Sequence, residues 1–193
     1  FGELRVQRII ARPFLGEKKE NFFRTKNRKD FISPPPIETL CDKVIKSGKK
    51  CFGIGKIADI FGQRGISESV SGMSDDKLFD EMLKKIISAN SGDLIFANFV
   101  EFDSLYGHRR DLPGYARALE NFDKRLPKLF SILNKDDFLV ITADHGNDPS
   151  FAGTDHTREQ VPVLIKNQKL VNKCYGLINF SDIGLLIENF LRL

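Results

Sequence analysis

"DLIFANFVEFDSLYGHRRD", residues 93–111, joins a continuous apolar run of strand length to a polar tail that sets Asp103 and His108 five positions apart. An apolar run without alternation reads as a strand buried on both faces, as in parallel sheets covered by helices. The flanking sequence fits that reading. Upstream, "SDDKLFDEMLKKIIS" (74–88) offers Ser74 as N-cap and gathers Leu78, Phe79, Met82, Leu83 and Ile86 on one helical face. Downstream, "YARALENFDKRLPKLFSIL" (115–133) repeats apolar residues at helical spacing, with a kink expected at Pro127.

The same alternation runs through the rest of the chain. "PIETLCDKVIKSGKK" (36–50) predicts a helix closed near Gly48, and "KCFGIG" (50–55) a short buried strand. "DFLVITA" (137–143) and "VPVLI" (161–165) predict two more strands. "SDIGLLIENFL" (181–191) predicts a last helix capped by Ser181 or Asp182. Apolar strands separated by amphipathic helices imply an α/β layered domain with a mostly parallel sheet. In such sheets ligands gather beyond the carboxyl ends of the strands. "SPPP" (33–36) breaks both helix and strand, so a segment boundary is expected between residues 33 and 34.

With 193 residues, 41% hydrophobic and 29% charged, the chain is long enough for a buried core and is not compositionally disordered. No apolar run reaches the roughly 18–20 residues of a membrane span. Cys41, Cys51 and Cys174 are odd in number and lack zinc spacing, which fits reduced thiols in a cytoplasmic protein. Residues 1–30 carry nine Lys/Arg against four Asp/Glu, whereas the remainder is near neutral. That basic segment is either a solvated face or a surface for anionic partners. The sequence opens without Met, in "FGELRVQRIIARPF", and reads as the interior of a longer chain.

The second polar segment past a strand is "ITADHGNDPSFAGTDHTRE" (141–159), which pairs Asp144 with His145 and Asp155 with His156. All three histidines thus follow predicted strands, and two of them adjoin an Asp. One surface histidine alone would mean little; three in such positions, together with Asp103 and Asp144, match the mixed oxygen and imidazole donors of divalent-metal sites. Two neighbouring metals suit phosphoryl transfer, where they hold attacking and leaving oxygens and offset charge. Gly146 and Gly153 let the loop turn close to the ions. The nearby hydroxyls of Thr142, Ser150, Thr154 and Thr157 include no evident nucleophile. "FGIGKIADIFGQRG" (52–65) has neither P-loop nor dinucleotide spacing, although Lys56 at a strand end could meet a phosphate.

"TADHGNDPSFAGTDHTRE" with "VPVLI", "FDSLYGHRRDLPGY", "IGKIADIFGQRGI" and "IARPF…NFFRTKNRKDF" together resemble the C-terminal half of the bacterial phosphopentomutases, within the alkaline phosphatase superfamily. The resemblance runs from Arg8 to the last helix. It implies an incomplete alkaline-phosphatase-like core over 34–193, preceded by the end of an inserted cap domain over 1–33. It further implies two Mn²⁺ ions, one on Asp103, His108 and His156, the other on Asp144 and His145. For the pentose phosphate substrate it implies Arg8, with Arg24 or Arg28, from the cap, and Lys56 from the core. The family's nucleophilic threonine and one further metal-binding aspartate belong to its N-terminal half, so a missing half of the same protein is expected and the isolated chain is expected to be inactive. Glu101 stands where the family usually carries Asp. Neither a membrane nor a specific nucleic acid is implied as a partner.

Two rival readings remain from the residues. One keeps the metals but changes the reaction, to a cofactor-independent phosphoglycerate mutase or a metal-dependent phosphohydrolase. The other is not enzymatic: a fragment that binds metal, or that binds nucleic acid nonspecifically through "FFRTKNRK".

Overall fold

The computed structural model describes residues 6, 8–25, 27, 29–168 and 174–193. At its centre lies a parallel three-stranded sheet in the order β6-β5-β7. Its strands are β5 (Cys51–Ile54), β6 (Glu68–Val70) and β7 (Leu94–Ala97). All four residues of β5 are buried, which is why "CFGI" shows no apolar alternation. Helices α2 (Ile57–Ile60) and α3 (Asp75–Ser88) make the crossovers, and α4 (Leu112–Ile132) follows β7. The α/β class with a parallel sheet is as expected.

Two apolar clusters cover the sheet. One joins Ile54 to Leu78, Phe79, Met82 and Leu83 of α3 and Leu129 of α4. Phe79, Phe99 and Phe122 meet there at centroid distances of 5.7–6.0 Å, close enough for edge-to-face attraction to add to burial. The other cluster joins Cys51 to Cys41 and Val44 of α1 (Leu40–Lys46), with Leu191 and Leu193 at the end of α5 (Phe180–Leu191) packed against it. An ion pair from Lys43 Nζ to Glu188 Oε1, 2.6 Å, ties α1 to α5.

Several boundaries move for local reasons. β7 spans four residues rather than eight, and past it the Asp75 carboxylate accepts from the N–H groups of Val100 and Glu101, at 3.0 and 2.9 Å. β9 (Leu164–Lys166) begins after Pro162, which has no N–H to donate, and pairs antiparallel with β8 (Leu139–Ile141). The last helix is capped by Asn179, two residues before Ser181 and three before Asp182, with Asp182 at N3 completing the capping box. α1 starts at Leu40 because Thr39 and Asp42 form such a box. Pro127 lies inside α4.

Residues ahead of "SPPP" form two antiparallel pairs, β1 (Arg8–Ala11) with β4 (Lys29–Ile32) and β2 (Phe14–Leu15) with β3 (Phe23–Arg24). No periodicity announced them, since two- and four-residue strands are too short to show a pattern.

Candidate metal centre

β7 ends at Ala97, and the chain then enters a π-helical turn, Phe102–Gly107, that presents Asp103. Such turns recur at functional sites because the extra residue re-aims a side chain. Asp103 is the hub. Its Oδ2 lies 3.4 Å from His108 Nε2, and its Oδ1 lies 3.2 Å from His156 Nε2. Past β8, His145 stacks on His156 with ring centroids 3.7 Å apart. Donor atoms of Asp103, His145 and His156 all fall within 4.8 Å of one another. Asp144 is exposed, with Oδ2 3.7 Å from His145 Nε2. Structure therefore brings together Asp103, His108, His145 and His156, with Asp144 on the rim, and links His145 to the group that the resemblance sets on the other ion.

Hydrogen bonds assign the histidine tautomers. His108 Nδ1 lies 2.6 Å from the Thr154 carbonyl, and His145 Nδ1 lies 3.1 Å from the Gly146 carbonyl. A carbonyl cannot donate, so each Nδ1 carries the proton. In the neutral ring each Nε2 then offers a lone pair toward a carboxylate. This mixed set of imidazole nitrogens and carboxylate oxygens fits a divalent metal.

Surrounding residues hold the ligands in place. Asn147 Nδ2 donates to Asp103 Oδ1 at 2.6 Å. Gly107 is required for that contact, since a Cβ there would sit 2.4 Å from Asn147 Nδ2. Thr157 Oγ1 accepts from the Asp148 N–H at 2.6 Å and donates to Glu159 Oε2 at 2.7 Å. Ser150 donates its N–H and its hydroxyl to Asp148, holding that carboxyl below its ordinary range. Tyr115, which packs on Phe102 at 5.9 Å, has its phenol pushed up by burial and by the carboxylates of Asp103, Glu159 and Asp148. Asp75 is pushed from 3.8 up to about 6, first by burial and then by the nearby Glu101 charge, against the lowering effect of its two backbone bonds.

The other expected residues stand apart. Arg8 is exposed at the start of β1 and is bonded to Asp30 of β4. Arg24 has its backbone in β3, but its side chain lies outside the described residues, as does the whole of Arg28. Lys56 is exposed at the N-cap of α2, directly after β5. Sequence reading missed Asn147 and Glu159, along with Arg110, and singled out Thr157 only as a nearby hydroxyl. Their signal is adjacency to the motifs: Asn147 follows "ADHG", and Arg110 follows His108 by two.

A profile of the metalloenzyme superfamily matches residues 47–188. The chain is 50% identical over 194 aligned positions to the phosphopentomutase of Pectobacterium atrosepticum, covering 100% of this chain and 48% of that relative. It is 50% identical over 192 positions to the phosphopentomutase of a Chelativorans species, covering 99% of this chain and 47% of the relative. Against the phosphopentomutase of Chromohalobacter salexigens the identity is 49% over 184 positions, covering 93% of this chain and 44% of the relative. The chain spans about half the length of the curated relatives it matches. Among the described residues no helix is long and apolar enough to cross a membrane. A superfamily match over most of the chain and a cluster of imidazoles about Asp103 agree: the chain belongs to the metalloenzyme superfamily.

Proposed function

We propose that these residues form the metal-binding part of a phosphopentomutase, which interconverts (deoxy)ribose 1-phosphate and (deoxy)ribose 5-phosphate. The observation that carries this reading is the convergence of His108, His145 and His156 on Asp103, with the Nδ1 contacts of His108 and His145 leaving their Nε2 atoms free for metal. Relatives of that name at about 50% identity favour this reaction over other metal-dependent phosphoryl chemistry. In this reading one Mn²⁺ takes Asp103, His108 and His156, and a second takes Asp144 and His145. Bound there, the ions would supply charge neutralisation for a transferring phosphoryl group.

The chain's own residues would fix the ligands and meet the sugar phosphate. Lys56, exposed beyond β5, would approach phosphate as a point charge. Arg8, Arg24 and Arg28 would approach it from residues 1–33, read as the end of a cap domain on a core over 34–193. Guanidinium suits that role because its fork can hold phosphate through two bonds. Three of the four hydroxyls near the centre are engaged locally: Thr157 with Glu159, Ser150 with Asp148, and Thr142 with the Ala143 carbonyl. The phosphoryl-carrying threonine is accordingly assigned to the part of the relatives' length that this chain does not span, and the 193-residue chain alone is expected to be inert as a mutase. Three free cysteines support a cytoplasmic setting.

The test is turnover by a polypeptide of the relatives' full length carrying these residues, with Mn²⁺. Conversion of ribose 5-phosphate is expected. Conversion of 3-phosphoglycerate alone, or simple phosphate release, would replace this reading with a phosphoglycerate mutase or a phosphohydrolase.

A further inference from the structure

Arg110 belongs to no expected ligand set, yet its guanidinium makes five hydrogen bonds. Nη1 donates to the Gly107 carbonyl at 3.0 Å, to Asn147 Oδ1 at 2.7 Å and to the Asp148 carbonyl at 2.9 Å. Nη2 donates to the Asp155 carbonyl at 2.7 Å, and Nε donates to the Gly153 carbonyl. The acceptors come from both polar segments. Gly107 closes the turn that bears Asp103, while residues 147–155 form the loop between His145 and His156. One bond leads straight to a ligand, and two more flank a second. Asn147, gripped through its oxygen, donates through its nitrogen to Asp103. Thr154, between the gripped carbonyls of Gly153 and Asp155, accepts from His108.

The backbone at Arg110 adds a second observation. Its φ is +55°, in the left-handed region that a side chain with Cβ rarely adopts. Glycine would fit that conformation without strain, as it does at many helix ends. An arginine that holds this conformation and turns all three guanidinium nitrogens to backbone and amide oxygens has more to do than end a turn.

We propose that Arg110 is the positioning residue of the metal centre, a clamp that sets the 147–155 loop against the Asp103 turn so that Asp103, His108 and His156 meet one cation. The inference rests on the metal-binding reading above. A planar fork can bind carbonyls spread around it; an ammonium cannot serve the same set at once. Loss of such outer partners commonly costs about 10–100-fold in metal affinity.

The experiment compares Arg110→Gly and Arg110→Lys with the unaltered chain. Glycine removes the clamp while relieving the backbone, so the fold is expected to survive; lysine keeps the charge without the fork. Mn²⁺ affinity is followed by electron paramagnetic resonance, and thermal melting and amide exchange of residues 147–157 are followed without metal. Expected are at least tenfold weaker Mn²⁺ binding in both variants, faster exchange across the loop, and metal-free melting within a few degrees of the parent. Unchanged Mn²⁺ affinity in the glycine variant would overturn the proposal. So would metal-free melting that falls in step with affinity in both variants, which would make Arg110 a folding residue. If the unaltered chain itself binds no Mn²⁺, the metal-binding reading fails instead.

Discussion

Asn147 donates a 2.6 Å hydrogen bond to the same Asp103 oxygen that faces His156 Nε2 at 3.2 Å. One lone pair of that oxygen is thereby committed, which fixes where the remaining ones point. The arrangement joins the two polar segments at their most charged atom.

Replacing Asn147 by Ala is expected to free the Asp103 carboxylate to rotate and to weaken Mn²⁺ binding by about 10–100-fold. Titration calorimetry reads this directly. Affinity equal to the parent's would mean that the Asn147 bond does not orient the ligand.

Asp75 gives a pH prediction with a definite sign. Its carboxyl is raised from 3.8 to about 6 in the folded chain. The folded state therefore binds this proton more tightly than the unfolded one. The associated stability is complete below pH 3.8 and is lost as pH rises through 6, roughly 2–3 kcal/mol at most. Urea melts of the metal-free parent should lose stability between pH 4 and 6.5 relative to Asp75→Asn, in which nothing ionises at that position. Parallel pH profiles for the two proteins would refute it.

Gly55 tests the strand exit that delivers the site. It sits at φ +75°, and a Cβ there would lie 2.1 Å from the Asn98 carbonyl oxygen. Because the obstacle is backbone, Gly55→Ala must push β5 and the end of β7 apart. A loss of about 2–4 kcal/mol in chemical denaturation is expected, from overpacking and left-handed strain together. A variant as stable as the parent would show that the two backbones can separate freely.

Leu129 tests how the core supports the long helix. It is 2% exposed and shares a cluster with Ile54, Leu78 and Phe79. Leu129→Ala should cost about 2–5 kcal/mol, measured by denaturant unfolding. A cost below 1 kcal/mol would place α4 outside the cooperative core.

The sequence was most legible where burial dictates residue type. Buried β5 and the apolar face of α3 were visible as an unalternating run and as helical spacing. Asp103 and the three histidines stood out because histidine is scarce and each one follows a strand. Capping shifts were less visible, since Asn179 competes with Ser181 and Asp182 for one helix end and only the folded hydrogen bonds choose. Arg110 and Asn147 were invisible as partners. Their bonds span 37 and 44 residues, and such contacts leave no local pattern. The short strands of residues 8–32 failed to register because two to four residues are too few to show a pattern.

Anomalous diffraction at the manganese edge, from crystals of the chain grown with Mn²⁺, locates the ions. One peak is expected within bonding distance of Asp103, His108 and His156, and a second beside Asp144 and His145. Ordered manganese elsewhere, with these five side chains left unliganded, would contradict that assignment.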